Sequence, residues 1–82
     1  MSAEAEDAEP LSGLLPGQRG RVVAVDVPDS QKSRILEMGF TVGATVEVVR
    51  FAPMGDPMEL KVRGARISLR KAEAAALRVE RI

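Results

Sequence analysis

Carboxylates and guanidinium groups are the side chains in this sequence best equipped for chemistry. Asp56 and Glu59 stand three residues apart, and Glu47 lies upstream on what reads as the preceding strand. Such oxygens could hold a divalent cation only together with carbonyls and water, with little selectivity over magnesium. Solvated surface acids are the better reading, and no metal site is expected. Arg63, Arg66, Arg70 and Lys71 form a basic cluster. It reads either as ordinary solvated charge or as a surface that steers an acidic partner. The rest of the catalytic repertoire is missing. The chain has no Cys and no His, which excludes disulfide frameworks, thiolate nucleophiles, iron–sulfur ligation, imidazole triads and the usual zinc sites. Glycines are not gathered with a Lys between a strand and a helix, so no phosphate cradle is present. The sequence reads as non-enzymatic and without a cofactor.

The charge is unevenly spread. Lys and Arg number 12 against 12 Asp and Glu, yet the first ten residues hold Glu4, Glu6, Asp7 and Glu9 and no cation. That leaves 12 basic and 8 acidic side chains over residues 11–82, a body of +4. The balance suits solubility and mild attraction to acidic partners. It is too interrupted by acids for a nucleic-acid footprint, and the only aromatics, Phe40 and Phe51, provide no stacking platform. No basic-then-apolar leader and no membrane-length apolar run are seen, so the cytoplasm is the expected compartment.

With 82 residues there is room for one domain, and a chain of this size hides only about 60% of its unfolded surface. Residues 1–10 lack a large apolar group after Met1 and read as a flexible acidic tail. The domain is expected over 11–82. It opens with leucines and a Pro16-Gly17 turn, then a first strand over 19–27 in which Val23, Val25 and Val27 alternate. Asp29 or Ser30 is a candidate N-cap for a short amphipathic helix over Gln31–Met38, with Gly39 as its left-handed stop and Phe40 folding back. A second strand, Thr45–Phe51, changes face between Val48 and Val49, which predicts burial on both sides or a bulge. Residues 52–57 read as a Pro-bracketed hairpin loop. A third strand around Leu60 and Val62 passes through a Gly64-Ala65 link to a fourth over 66–69. One or two helical turns follow over Arg70–Ala76, then a last strand from Leu77. Five short strands with little helix predict a mainly β protein, a small closed barrel.

From the Pro16-Gly17 turn onward, these blocks resemble the FeoA family of small cytoplasmic accessory proteins of bacterial ferrous-iron uptake. The resemblance rests on Leu14–Gly20, on Arg34–Phe40 followed by Gly43, on Ala52–Pro57, and on Arg63-Gly64 with Ile67–Arg70 and Glu73-Ala74. The resemblance implies an SH3-like five-stranded barrel, with a short helix after the first strand and a helical turn before the last. It also implies an adaptor, without catalysis of its own, for the FeoB-type membrane GTPase transporter. The acidic extension departs from the pattern. Two alternatives belong to other classes: a metal-responsive regulatory domain related to that of iron-dependent repressors, and a small-barrel nucleic-acid binder.

The expected recognition surface is a groove between the helix and the Pro53–Pro57 loop. Met54 and Met58 would be adaptable apolar contacts, and Asp56 would either hold the loop or contact the partner. Met38 and Phe40 are mainly core but could line the groove, and Arg63 and Arg70 would stand at its rim.

Overall fold

The computed structural model describes residues 8–82. Six strands form one antiparallel sheet: β1 (Glu9–Pro10), β2 (Arg19–Val25), β3 (Thr45–Phe51), β4 (Met58–Val62), β5 (Ala65–Leu69) and β6 (Leu77–Arg81). Their order across the sheet is β1-β6-β2-β3-β4-β5. Helix α1 (Asp29–Glu37) lies between β2 and β3, and the single turn α2 (Lys71–Ala74) lies between β5 and β6. The sheet therefore has six strands rather than the expected five, and its hydrogen-bonded ladder is open at β1 and β5 instead of closed.

The extra strand comes from the stretch read as tail. Glu9 pairs with Val79 and Pro10 with Arg78. Arg81 bridges to Glu9 at 2.9 Å, and the Arg78 guanidinium donates to the Ala8 carbonyl at 2.9 Å. Ordered structure thus begins before residue 11; the remainder of the expected tail, residues 1–7, lies outside the described residues. A two-residue strand has no alternation to betray it, because it is held by backbone pairing and charge.

Two extra residues bend the sheet. The β2–β6 register shifts between Val22 and Ala24, leaving Val23 as the extra residue. Before it Gly20 and Val22 face the core, and after it Val25 and Val27 do. Val23 is therefore not an inward position, because the bulge resets the phase of the strand. In the β3–β4 pair the shift falls between Val48 and Arg50, at Val49, so the change of face read from the valines is a bulge. Val46 and Val48 face inward before it, and Phe51 meets buried Met58 after it.

Pro28 is the N-cap of α1, and no side chain caps the helix there. Asp29 instead sits in the first turn, where its charge suits the helix dipole. The other end is a Schellman motif. Gly39 takes φ 107° and donates to the Leu36 carbonyl at 3.0 Å, while Phe40 donates to Ile35 at 3.4 Å. Phe40 and Ile35 are both fully buried, forming the apolar contact that such an ending carries. Nine residues are too few for a stable isolated helix in water, so α1 depends on this anchor. Burying a side chain such as Phe40 contributes about 1.5–3 kcal/mol.

The β4–β5 turn falls on Arg63-Gly64, one residue earlier than the sequence suggested, since Val62 pairs with Ala65. Arg63 and Gly64 have φ of 52° and 81°, as a two-residue turn of the hairpin-favouring hand requires. Arginine is unexpected there. Its guanidinium donates to Thr41 Oγ1 at 2.8 Å, which ties the hairpin tip to the chain just beyond α1.

Gly20 is buried between Val79 of the neighbouring strand β6 and Leu14. A Cβ placed there would lie 2.9 Å from Val79 Cβ and Cγ2 and 3.3 Å from Leu14 Cδ1. Gly20→Ala is therefore expected to destabilise the protein by about 1–3 kcal/mol through overpacking. Urea unfolding checks this: the midpoint should fall with an unchanged slope.

Candidate functional site

The loop joining β3 and β4 is tightly made. Ala52 donates to the Pro57 carbonyl at 2.9 Å and Gly55 to the Ala52 carbonyl at 2.7 Å. Asp56 reaches out of the loop, and its Oδ1 accepts the Lys71 backbone N–H at 3.0 Å. The Lys71 ammonium lies over the Phe51 ring, 4.4 Å from its centroid, a favourable cation–π placement. The loop and α2 are thus joined on both faces, and an open groove of about 320 Å³ between them is lined by Asp56, Pro57 and Arg70. Met54, 91% exposed, stands at the loop tip.

A second carboxylate completes α2. Glu73 accepts the Arg70 backbone N–H at 3.2 Å while its own N–H donates to the Arg70 carbonyl at 2.9 Å. The Arg34 guanidinium of α1 also donates to Glu73. That bond holds the Glu73 carboxyl below its ordinary value; partial burial opposes it, and the Arg70 N–H and the charges of Arg34 and Arg70 reinforce it. One side chain therefore links α1, the end of β5 and α2.

The structure separates the residues expected to form one surface. Asp56 and Arg70 come together at the loop–α2 groove, and Met54 stands apart from its lining at the exposed loop tip. Phe40 and Met58 do not join them. Both are fully buried, Phe40 under the end of α1 and Met58 opposite Leu69 in the β4–β5 ladder, so neither can be offered to a partner. Met38 is half-buried against the core. Arg63 and Arg70 flank opposite ends of β5, on the order of 20 Å apart at a strand rise of about 3.3 Å per residue. They cannot rim a single small groove.

The candidate metal carboxylates are engaged elsewhere. Asp56 holds α2, Glu59 lies 3.3 Å from Arg50 and 3.6 Å from Arg66, and Glu47 stands opposite Arg19 and Lys61 in the backbone register of the sheet. Among the described residues no three acids gather as a ligand set. Sequence reasoning missed Pro57 as a groove wall. It also missed a smaller groove of about 150 Å³ lined by Arg21, Val22, Val23, Val42 and Gly43. The available signal was Val42, an apolar residue in a tight turn and 67% exposed.

A short, sharply bent antiparallel sheet with a helix between β2 and β3 defines a small domain of the SH3 kind. The Stenotrophomonas maltophilia FeoA, a procaryotic SH3 domain protein solved with zinc, superposes with a TM-score of 0.74 at 31% identity, over 85% of this chain and 87% of that one. The family model for the FeoA domain matches residues 9–81, and the chain belongs to the FeoA family. A Porphyromonas gingivalis fusion of Fe(2+) transport protein A with the Fe(2+) transporter FeoB is 40% identical over 72 residues, which are 88% of this chain and 8% of that protein. This chain thus spans a small part of that relative's length. A manganese-dependent transcriptional repressor in complex with manganese shares the fold alone. Its TM-score is 0.83 at 18% identity, covering 92% of this chain and 37% of the repressor.

Among the described residues no helix is long and apolar enough to cross a membrane. Because the folded-state value of Glu73 lies below its ordinary value of 4.5, its stabilisation is complete above that pH and is lost as pH falls through the lowered value. Glu73→Gln should therefore be less stable than wild type at about pH 7, with the gap narrowing as the pH falls below 4.5. Thermal melts across that range read it; a gap independent of pH would contradict the linkage.

Proposed function

We propose that this protein is a non-enzymatic adaptor that works on the cytoplasmic side of a FeoB-type ferrous-iron transporter and binds the transporter's cytoplasmic region. The observation that carries this reading is the fused relative, in which a domain 40% identical to this chain shares one polypeptide with FeoB. Covalent linkage keeps two modules at high mutual concentration, on the order of millimolar for a short flexible linker. A chain acting in trans must replace that linkage with affinity. The loop–α2 groove is the proposed contact, with Met54 as the adaptable apolar element and Arg70 as the charged one. The loop needs little further ordering on binding, because its internal hydrogen bonds and the Asp56–Lys71 contact already fix it.

The repressor-type reading is less favoured, since a metal-responsive domain needs a donor cluster. A nucleic-acid binder is less favoured too, since Phe40 is buried and Phe51 is covered by Lys71.

Titration of the labelled protein with a FeoB-type GTPase domain, and with the full-length transporter in detergent, tests the proposal. Saturable binding is expected, weakened about tenfold by Met54→Glu or Arg70→Glu. No binding to either form at about 50 micromolar would overturn it.

A further inference from the structure

Among the described residues no strand pairs with the outer edge of β5. β5 is the terminal strand on its side, and Ala65, Arg66 and Ser68 along it are exposed. Val62 and Ala65 flank a two-residue turn, so they form a hydrogen-bonded pair, and the alternation then assigns Ile67 and Leu69 to the bonds with β4. The intervening residues, Arg66 and Ser68, turn their backbone N–H and C=O groups to the open side. The margin has defined ends. On one side the Arg63-Gly64 turn closes it, and on the other Arg70 has its N–H taken by Glu73 and its carbonyl taken by Glu73 and Ala74.

Charge along this margin is of one sign. From Lys61 to Lys71 the sequence carries Lys61, Arg63, Arg66, Arg70 and Lys71 and no Asp or Glu. Three acids lie beside it: Glu59 is shared by Arg50 and Arg66, while Asp56 and Glu73 accept the Lys71 and Arg70 backbone N–H groups at its far end. Arg66 remains 67% exposed along its side chain, so that pairing leaves most of it in water. Unpaired strand edges invite indiscriminate pairing, and charged residues on them restrain it. Here the restraint is selective. Two copies meeting edge to edge would bring Arg66 and the cations flanking it against the same set and repel, whereas an acidic strand would meet the opposite charge of Arg66.

We propose that the free edge of β5 is a binding site for an extended acidic peptide segment of another protein, which adds to the sheet as a seventh strand through the backbone of Arg66 and Ser68. Recognition combines main-chain hydrogen bonding, which fixes the segment as extended, with the Arg63–Arg66–Arg70 row, which selects its acidity. The site adjoins the loop–α2 groove at Arg70, which borders both, but its backbone contacts at Arg66 and Ser68 lie outside that groove and it does not rest on the transporter reading.

The test uses the full-length chain and a synthetic eight-residue peptide of alternating Glu and Val, capped at both ends. Amide shifts and hydrogen exchange are followed by NMR. The expected result is saturable binding, with shifts concentrated at residues 65–69 and slowed exchange at Arg66 and Ser68. N-methylation of alternate peptide amides should weaken binding about tenfold, as should Arg66→Glu. The matching Lys–Val peptide should not bind. Equal binding by the N-methylated peptide, or by an oligonucleotide competing for the same residues, would overturn the proposal in favour of a plain polyanion surface. Replacing Glu4, Glu6 and Asp7 by Ser in the full chain tests the remaining occupant. If that change alone shifted Arg66 and Ser68, the chain's own acidic segment would hold the edge, and the proposal would fall.

Discussion

A sheet of this size can enclose a core only if it bends sharply, and the residues at Val23 and Val49 are what bend it. Each is the extra member of a ladder, one between β2 and β6 and the other between β3 and β4. An inserted residue raises local twist and reverses which side chains face inward. Without the resets, Val25 and Phe51 would point away from Leu77 and Met58, the residues they oppose. The buried set that results contains no charged or polar residue. All the specific chemistry of the chain is thereby pushed to turns, edges and helix ends.

That displacement explains why the candidate site is built from capping interactions. A single turn such as α2 exposes unsatisfied backbone donors at its start. Asp56 and Glu73 supply the acceptors, one from a loop and one from within the turn. In doing so they fix the wall of the groove beside Arg70, which is exposed to solvent. The individual ion pairs around them are exposed and contribute little to stability singly. Their effect is positional: Arg34 to Glu73 sets α1 against α2, and Arg81 to Glu9 sets β1 against β6.

Much of the fold was legible because it was local. The helix stop at Gly39, the Pro16-Gly17 turn and the change of face at Val49 each depend on neighbours within a few residues. β1 was illegible, since two residues cannot show a period. The β4–β5 turn was misread by one position because Arg63 adopts a backbone conformation that arginine rarely takes. The site was less legible still. Asp56 meets Lys71 fifteen positions away and Arg34 meets Glu73 thirty-nine away, and no local pattern announces such meetings. Phe40 and Met58 looked available because a large apolar residue beside a loop can face either way, and only the ladder and the helix end decide it. Asp56 and Arg70 meet because the Asp56 carboxylate caps the helical turn that follows Arg70.

Arg63 carries a further consequence. Its aliphatic stem covers Gly39, with Cδ at 3.3 Å from where a Cβ would stand, and its head is tied to Thr41. Lifting the hairpin tip would strip cover from the glycine that ends α1, and unwinding that end would release the tip. The two belong to one cooperative opening unit, so a fluctuation that exposes either to solvent exposes both.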